Sequence, residues 1–489
     1  MTSNDRATVT VILTGGSARA RTPPVVSTWV NASGGGVTVV AAYGEDADAV
    51  RIITSAIDAA LTDFVMVIDG RGDLAATAPS RFETLLASNP DLDILYCDEA
   101  QELDSGQLNI FAKPVFSPER LRCQFYFGSV VVYRTAVLRA IGGLRSELGG
   151  TALYDLALRA SRMARDVVHS DEVLFLTERV PRLGAISEAE VQNTRRALEE
   201  HLAETGGGIV ESIGLSGVHV TARPVQGEPL VSIVIPTRGL WTGERDERAS
   251  YLLRAVRSII SKSTYRNLEF VIVYDSVAES SILDDLRNEL GDSLTLVEWT
   301  KSFNFSDKIN LGVIRSKGEY LLILNDDVEV ITPGWIEPML SLAQLPKAGM
   351  SGCMLYYEDE TIQHAGHGYW RGDATHIGMF MPRGSAGPLQ GYLVEREVRG
   401  VTAACALMPR GVYFEVGGMT SLLPGNFNDV DLCMKVTTAG HDIYWTPRAE
   451  LYHYESKTRN ASVRKYEVDV AWGRWGSRMH DPRYWPYPV

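Results

Sequence analysis

Short apolar runs that stop at turn residues, alternating with stretches of helical periodicity, restrict this chain more than any other feature. "LVSIVIPTRG" (230–239), "LEFVIVYDS" (268–276) and "YLLILNDDVEV" (320–330) are such runs. Their density of Val, Ile and Leu is that of strands buried on both faces of a parallel sheet. Between the first two, "RASYLLRAVRSIISKSTY" sets Leu252, Leu253, Val256, Ile259 and Ile260 at helical spacing. Strand, helix and strand in this order predict an α/β fold with crossover helices. Ligands of open parallel sheets bind beyond the strands' carboxyl ends, which is where Asn325, Asp326 and Asp327 fall.

The N-terminal half repeats the layout. "ATVTVILTGG", "GVTVVAAYGED" and "DFVMVIDGRGDL" read as strands, with "AVRIITSAIDAAL" a helix between the last two. "AIGGLRSELGGTALYDLALRA" (140–160) echoes "EVGGMTSLLPGNFNDVDLCMKV" (415–436), and an internal duplication of one nucleotide-binding-type unit explains both. A single core rarely exceeds about 250–300 residues, so 489 residues suit two or three domains. The expected division is 1–182, a helical linker over 183–227, and 228–489. In the linker Ser187 and Glu190 have capping-box spacing, Ala197, Leu198 and Leu202 form an apolar stripe, and Gly206 to Gly208 end the helix.

A net charge of -14 argues against a nucleic-acid partner, which needs a Lys/Arg excess. Five cysteines without CxxC or Cys/His spacing read as buried thiols of a reducing compartment. The start "MTSNDRATVTVILTGG" has no signal-peptide pattern, and no stretch approaches 18 uncharged apolar residues. The expected location is cytoplasmic, with peripheral association at the inner face of the cell membrane left open, as is a homo-oligomer.

Adjacent carboxylates repel each other and lose solvation, so Asp326 and Asp327 mark either a site for a hard cation or a plain solvated loop. In "GNFNDVDLCMKV", Asp431 or Asn428 suits a helix N-cap. Asp429 is then free to act as a general base toward a hydroxyl. His453, in "AELYHYESKTR", reads equally as a packed histidine or a ligand.

Taken in order, "VSIVIPTRG", "FNFSDKINLGVIRSKGEYLLILNDDVEV", "TIQHAGH", "VTAACALMPR", "VGGM", "FNDVDLC" and "AELYHYESKTR" resemble the family 2 inverting glycosyltransferases of GT-A fold. The likeness is greatest to bacterial enzymes, rhamnosyltransferases among them, that build O-antigens and other cell-surface polysaccharides. It runs over about residues 228–460, and the N-terminal half resembles a second, tandem GT-A module. The resemblance implies a nucleotide-diphosphate sugar donor, a glycan or lipid-linked acceptor, and Mn²⁺ or Mg²⁺. It puts Asn325, Asp326 and Asp327 at the DxD position with Asp327 on the metal, and adds His453 as a further metal ligand. It implies nucleotide contacts from Pro236, Thr237, Arg238 and Asp275, a pocket-lining Asn310, and Asp429 as the general base. Small Ala403, Ala404 and Cys405 would underlie the donor sugar, or simply pack.

Aligning the halves sets Arg71 opposite Asp327, Leu153 opposite Asp429 and Leu176 opposite His453. The first module is therefore expected to be degenerate, although Arg71 as a fixed cation leaves metal-free nucleotide binding open. Asp98 and Glu99 match a family acidic pair or mark an exposed strand end. A nucleotidyltransferase would carry a Gly/Arg/Lys-rich loop after the first strand, and "IPTRG" is not one. A non-catalytic glycan-binding subunit would need the second module degenerate too. The Trp- and Tyr-rich tail "WGRWGSRMHDPRYWPYPV" suits a membrane interface, sugar stacking or packing on the second domain.

Overall fold

The computed structural model describes residues 7–14, 23–33, 36–42, 47–177, 187–242, 249–454 and 463–487. The chain divides into two compact units, Met1–Ala222 and Arg223–Val489.

In the first unit β1 (Val9–Thr14), β2 (Val37–Ala42), β3 (Phe64–Asp69), β4 (Gly72–Leu74), β5 (Leu92–Glu102), β6 (Leu108–Phe111), β7 (Val130–Arg134) and β8 (Asp166–Thr177) form one sheet. Its order is β2-β1-β3-β7-β5-β8-β4, with β6 on β5. The helix Glu188–Glu204, expected as a connector, opens with the capping box foreseen from Ser187 and Glu190. It sinks Ala197, Leu198 and Leu202 into this unit's core. Gly206 to Gly208, all at positive φ, end it as glycine can without strain. A hairpin of β9 (Ile209–Ile213) and β10 (His219–Ala222) follows.

The second unit builds its sheet from β11 (Val231–Thr237), β12 (Leu268–Asp275), β13 (Leu294–Trp299), β14 (Tyr320–Leu324), β15 (Val328–Val330) and β16 (Ala348–Tyr356). β17 (Ile362–His364), the hairpin β18 (His367–Trp370) and β19 (Asp373–His376), β20 (Arg396–Val398), β21 (Cys405–Pro409) and β22 (Asp442–His453) complete its strands. The main order is β13-β12-β11-β14-β21-β16-β22-β15. Without β13 it matches the first sheet strand for strand. In both, two parallel pairings are followed by two antiparallel, one parallel and one antiparallel.

β11 shows why these runs are strands. Ile233 and Ile235 join one apolar cluster while Val234 joins the other, so consecutive side chains meet a core on both faces. The helix Tyr251–Lys262 is capped by Ser250 and buries Leu252, Leu253, Val256 and Ile259, each contributing about 1.5–3 kcal/mol. Ile260, the fifth residue of the expected stripe, is instead exposed. The helix Phe305–Arg315 is capped by Asn304. Gly312 lets it lie on the sheet, since a Cβ there would meet Val234 Cγ1 at 2.4 Å.

All five cysteines are buried thiols. Among the described residues no helix is long and apolar enough to cross a membrane. The tail packs on the second unit: Trp475 Nε1 donates to Asp431 Oδ1 at 2.8 Å, and Trp485 stacks on Tyr392 at 5.5 Å.

Candidate active site

The "NDD" triplet is the corner at which the chain leaves one strand pairing for another. β14 lies between β11 and β21, and after Leu324 the Asn325 N–H donates to the Ala404 carbonyl at 3.0 Å. β15 then pairs with β22 in a register that sets Val328 opposite His453. That register brings His453 to the corner, where its Nε2 is 3.2 Å from Asp327 Oδ1 and accepts from Asn325 Nδ2 at 3.0 Å. On the ring's far side Nδ1–H donates to Gln363 Oε1 at 2.6 Å. A neutral imidazole so held keeps its Nε2 lone pair beside the carboxylate oxygen. Two electron-pair donors 3.2 Å apart are a donor set that accepts a divalent cation. Glu455 and Lys457, which flank His453 in its motif, lie outside the described residues.

Asp326 faces the other way. Its Oδ2 accepts from Thr237 Oγ1 at 2.6 Å, and Thr237 Oγ1 in turn accepts from Gly239 N–H at 2.9 Å. Burial, reinforced by the neighbouring Asp327, pushes the Asp326 carboxyl up to about 7. Lys308, on the helix Phe305–Arg315, donates to the Thr237 carbonyl at 2.8 Å and pairs with Asp275 at 2.5 Å. Burial lowers its pKa. The carboxyl ends of β11, β12 and β14 are thus tied together through Thr237, Asp275, Lys308 and Asp326, with exposed Arg238 and buried Pro236 beside Thr237.

Asn310, on the helix Phe305–Arg315, bonds within the second unit. Its Oδ1 accepts from Tyr413 O–H at 2.6 Å and Met419 N–H at 3.0 Å, while its Nδ2 donates to the Met419 carbonyl at 2.9 Å. The amide pins the "VGGM" turn.

Asp429 and Asp431 part company on the helix Asn428–Thr438. The N-cap is Phe427 in the left-handed region, without a side-chain cap, so neither Asn428 nor Asp431 caps this helix. Asp431 is fully buried and binds Thr420 Oγ1 at 2.6 Å, Trp475 Nε1 at 2.8 Å and Arg474 at 2.7 Å. Asp429 instead accepts from Val430 N–H at 2.8 Å and Ala403 N–H at 3.4 Å. Burial works to raise its pKa, but His367, His376 and the Val430 N–H outweigh it and hold the carboxyl below its usual value. Ala403 N–H touches Asp429 while the Ala404 carbonyl touches Asn325. Consecutive residues of "VTAACA" therefore hold the Asp429 carboxylate and the triplet corner close together.

Five participants were not foreseen from the sequence, although all but His376 lie inside quoted motifs. Gln363 orients His453, Lys308 ties two strand ends, and His364, His367 and His376 gather with ring nitrogens within 4.8 Å of one another. Their signal was present in "TIQHAGH" and "NFSDKIN", but no spacing rule links residues joined only by the fold.

In the first unit the matching corner is closed. Arg71 Nη2 pairs with Asp69 at 2.5 Å, so the cation at the Asp327 position is already neutralised. The β4–β8 register pairs Gly72 with Thr177, which makes Thr177, not Leu176, the counterpart of His453. Asp98 and Glu99 are no exposed strand end. Both are buried, Asp98 bonding the Lys113 N–H at 2.7 Å and Glu99 pairing with Lys113 Nζ at 2.6 Å.

Residues 232–414 match the profile of glycosyl transferase family 2. The chain is 33% identical over 455 residues to an uncharacterized protein, y4gI, of Sinorhizobium fredii, covering 88% of this chain and 49% of the relative. It is 28% identical over 464 residues to the O-antigen biosynthesis protein RfbC of Myxococcus xanthus, covering 90% and 35%. The chain thus spans about half or less of the length of these relatives. Among solved structures, GalNAc-T7 with UDP, GalNAc and Mn²⁺ aligns at TM-score 0.40 and 14% identity, over 52% of this chain and 50% of that one. The mannosyltransferase PcManGT of Pyrobaculum calidifontis with GDP-Man and Mn²⁺ aligns at TM-score 0.34 and 15% identity, over 48% and 60%. The family match lies within the second unit, Arg223–Val489.

Proposed function

We propose that the second unit is a metal-dependent inverting glycosyltransferase that moves a sugar from a nucleotide-diphosphate donor to a hydroxyl of a glycan or lipid-linked acceptor. The observation that carries the reading is the pairing of the Asp327–His453 corner with the Asp429 carboxylate on consecutive residues of one segment.

Thr237, Arg238 and Asp275 then receive the nucleotide, with Lys308 holding the loop ends that carry them. Asp429 takes the acceptor's hydroxyl proton, the freed oxygen attacks the anomeric carbon from the face opposite the diphosphate, and one displacement inverts the configuration. A divalent cation, Mn²⁺ or Mg²⁺, held by Asp327 and His453 would supply Lewis-acid stabilisation of the departing diphosphate. Backbone N–H groups of Val430 and Ala403 keep the base ionised and aimed. The small side chains of Ala403 and Ala404 leave room for a sugar ring.

The first unit serves as a degenerate partner module without turnover, a role supported by its Arg71–Asp69 pair, Leu153 at the Asp429 position and Thr177 at the His453 position. The process is cell-surface polysaccharide synthesis, in keeping with the name of the Myxococcus xanthus relative, an O-antigen biosynthesis protein.

The test is nucleotide release and sugar transfer from a panel of UDP-, dTDP- and GDP-sugars with Mn²⁺ or Mg²⁺, comparing wild type with Asp327→Ala and Asp429→Asn. Turnover lost in both variants supports the reading. Turnover that survives both changes refutes it.

A further inference from the structure

The β18–β19 hairpin presents its first and last residues, His367 and His376, to Asp429. They pair across the hairpin, and both help to lower the Asp429 pKa. His367 is the nearer, with Nε2 3.9 Å from Asp429 Oδ2, and is almost fully buried. Behind it the Tyr369 hydroxyl lies 3.4 Å from Nδ1. Burial raises the Tyr369 pKa well above the usual phenol value, so this group is a standing O–H donor. A donor on Nδ1 leaves the neutral ring's one proton on Nε2, which faces the carboxylate.

The fold protects this line of three groups. His367 N–H donates to the Gly400 carbonyl at 2.7 Å. A Cβ on Gly400 would meet Tyr369 Oη at 2.7 Å and His367 Nδ1 at 2.8 Å, so only glycine admits the pair. Burial holds the imidazole neutral, its pKa depressed to about 4 despite the pull of Asp429. The other groups around the carboxylate are His376 from the hairpin, Thr402 from the adjoining segment, and Cys433 on its own helix.

A cation among the three histidines accounts for less. His364 Nε2 already accepts from Thr402 N–H at 3.2 Å, and its buried Nδ1 has no hydrogen-bond partner among the described residues. A metal on either nitrogen would break the first contact or leave a ring N–H unmet, whereas ligating histidines normally donate that N–H.

We infer that His367 is a positioning residue for the base: Tyr369 fixes its imidazole in the Nε2–H form, and this N–H, 3.9 Å from Asp429 Oδ2, turns its dipole toward the carboxylate and closes on it when the acceptor binds. The inference rests on Asp429 being the base. His367 keeps its own proton throughout, and the acceptor's proton goes to Asp429 alone.

The experiment is ¹⁵N NMR of the histidine-labelled full chain, with the His367 signal assigned by its loss in His367→Gln. The expected spectrum at pH 7.5 has a protonated Nε2 and a bare Nδ1, and Tyr369→Phe erodes that preference. A protonated Nδ1, or a tautomer indifferent to Tyr369→Phe, overturns the inference. So does a Co²⁺ d–d spectrum that His367→Gln abolishes.

In the sugar-nucleotide assay, His367→Leu should lower kcat roughly tenfold to a hundredfold and move the acid limb of the pH profile upward. Donor KM should hold, and His367→Gln, which restores an N–H, should recover part of the loss. An acid limb unmoved in His367→Leu overturns the role. If Asp429→Asn transfers sugar normally, the base assignment itself falls. If that variant is dead while the tautomer is wrong, only the inference falls.

Discussion

Replacing Asp326 by Asn should stabilise the metal-free protein above neutral pH while leaving it unchanged in acid. Folding raises this carboxyl from 3.8 to about 7, so the native state binds more protons than the unfolded chain between those values. Stability then falls as pH rises through that window. The penalty is absent below about pH 4, grows to about pH 7 and is complete above it. A shift of about 3 units corresponds to roughly 4 kcal/mol at about 1.36 kcal/mol per unit, an upper bound because the neighbouring Asp327 shares the titration. For a unit of this size about 1 kcal/mol moves Tm by about 2–4 °C, so the variant should melt roughly 5–15 °C higher at pH 8. The Asn side chain can still accept the Thr237 hydroxyl, so no hydrogen bond is lost. Scanning calorimetry in EDTA at pH 5, 6.5 and 8 measures the difference. A wild-type-to-variant gap that stays constant with pH would refute the reasoning.

Asp429→Asn should abolish transfer while leaving calorimetric binding of the donor nucleotide within about threefold, because the base acts on the acceptor. Asn310→Ala should cost about 1–3 kcal/mol in denaturant melts, from the Tyr413 and Met419 groups it leaves unpaired. Lys308→Met should weaken nucleotide binding at least about tenfold, since Thr237 and Asp275 lose their common anchor. In an Asp327→Ala background, Arg71→Asp should create no Mn²⁺ site detectable by electron paramagnetic resonance, because Thr177 stands where His453 would be needed.

The parallel strands and their helices were legible because burial on both faces forces near-continuous apolar runs, and β11, β12 and β14 fall where those runs do. The strand order common to the two sheets has its sequence counterpart in shared punctuation, the Gly-Gly steps and the Asp-Leu pairs. What escaped was decided by register and by competition for hydrogen bonds. Thr177 and Leu176 are adjacent, and only the β4–β8 ladder says which lies opposite Gly72. Asn310 sits beside the expected pocket in sequence, yet Tyr413 and Met419, about a hundred residues further on, take its amide. Asp429 and Asp431 look alike in "NDVDLC". Two residues along one helix separate a carboxylate facing His367 from one buried among Trp475, Arg474 and Thr420. The histidines of the β18–β19 hairpin needed the fold to meet Asp429 at all.

The most direct test of the central claim is the anomeric configuration of the first-formed product, read by ¹H NMR with whichever sugar nucleotide the panel identifies as donor. A single displacement assisted by Asp429 requires configuration opposite to the donor's, abolished together with turnover in Asp429→Asn. A product that retains the donor's configuration, or one still formed by Asp429→Asn, would contradict it.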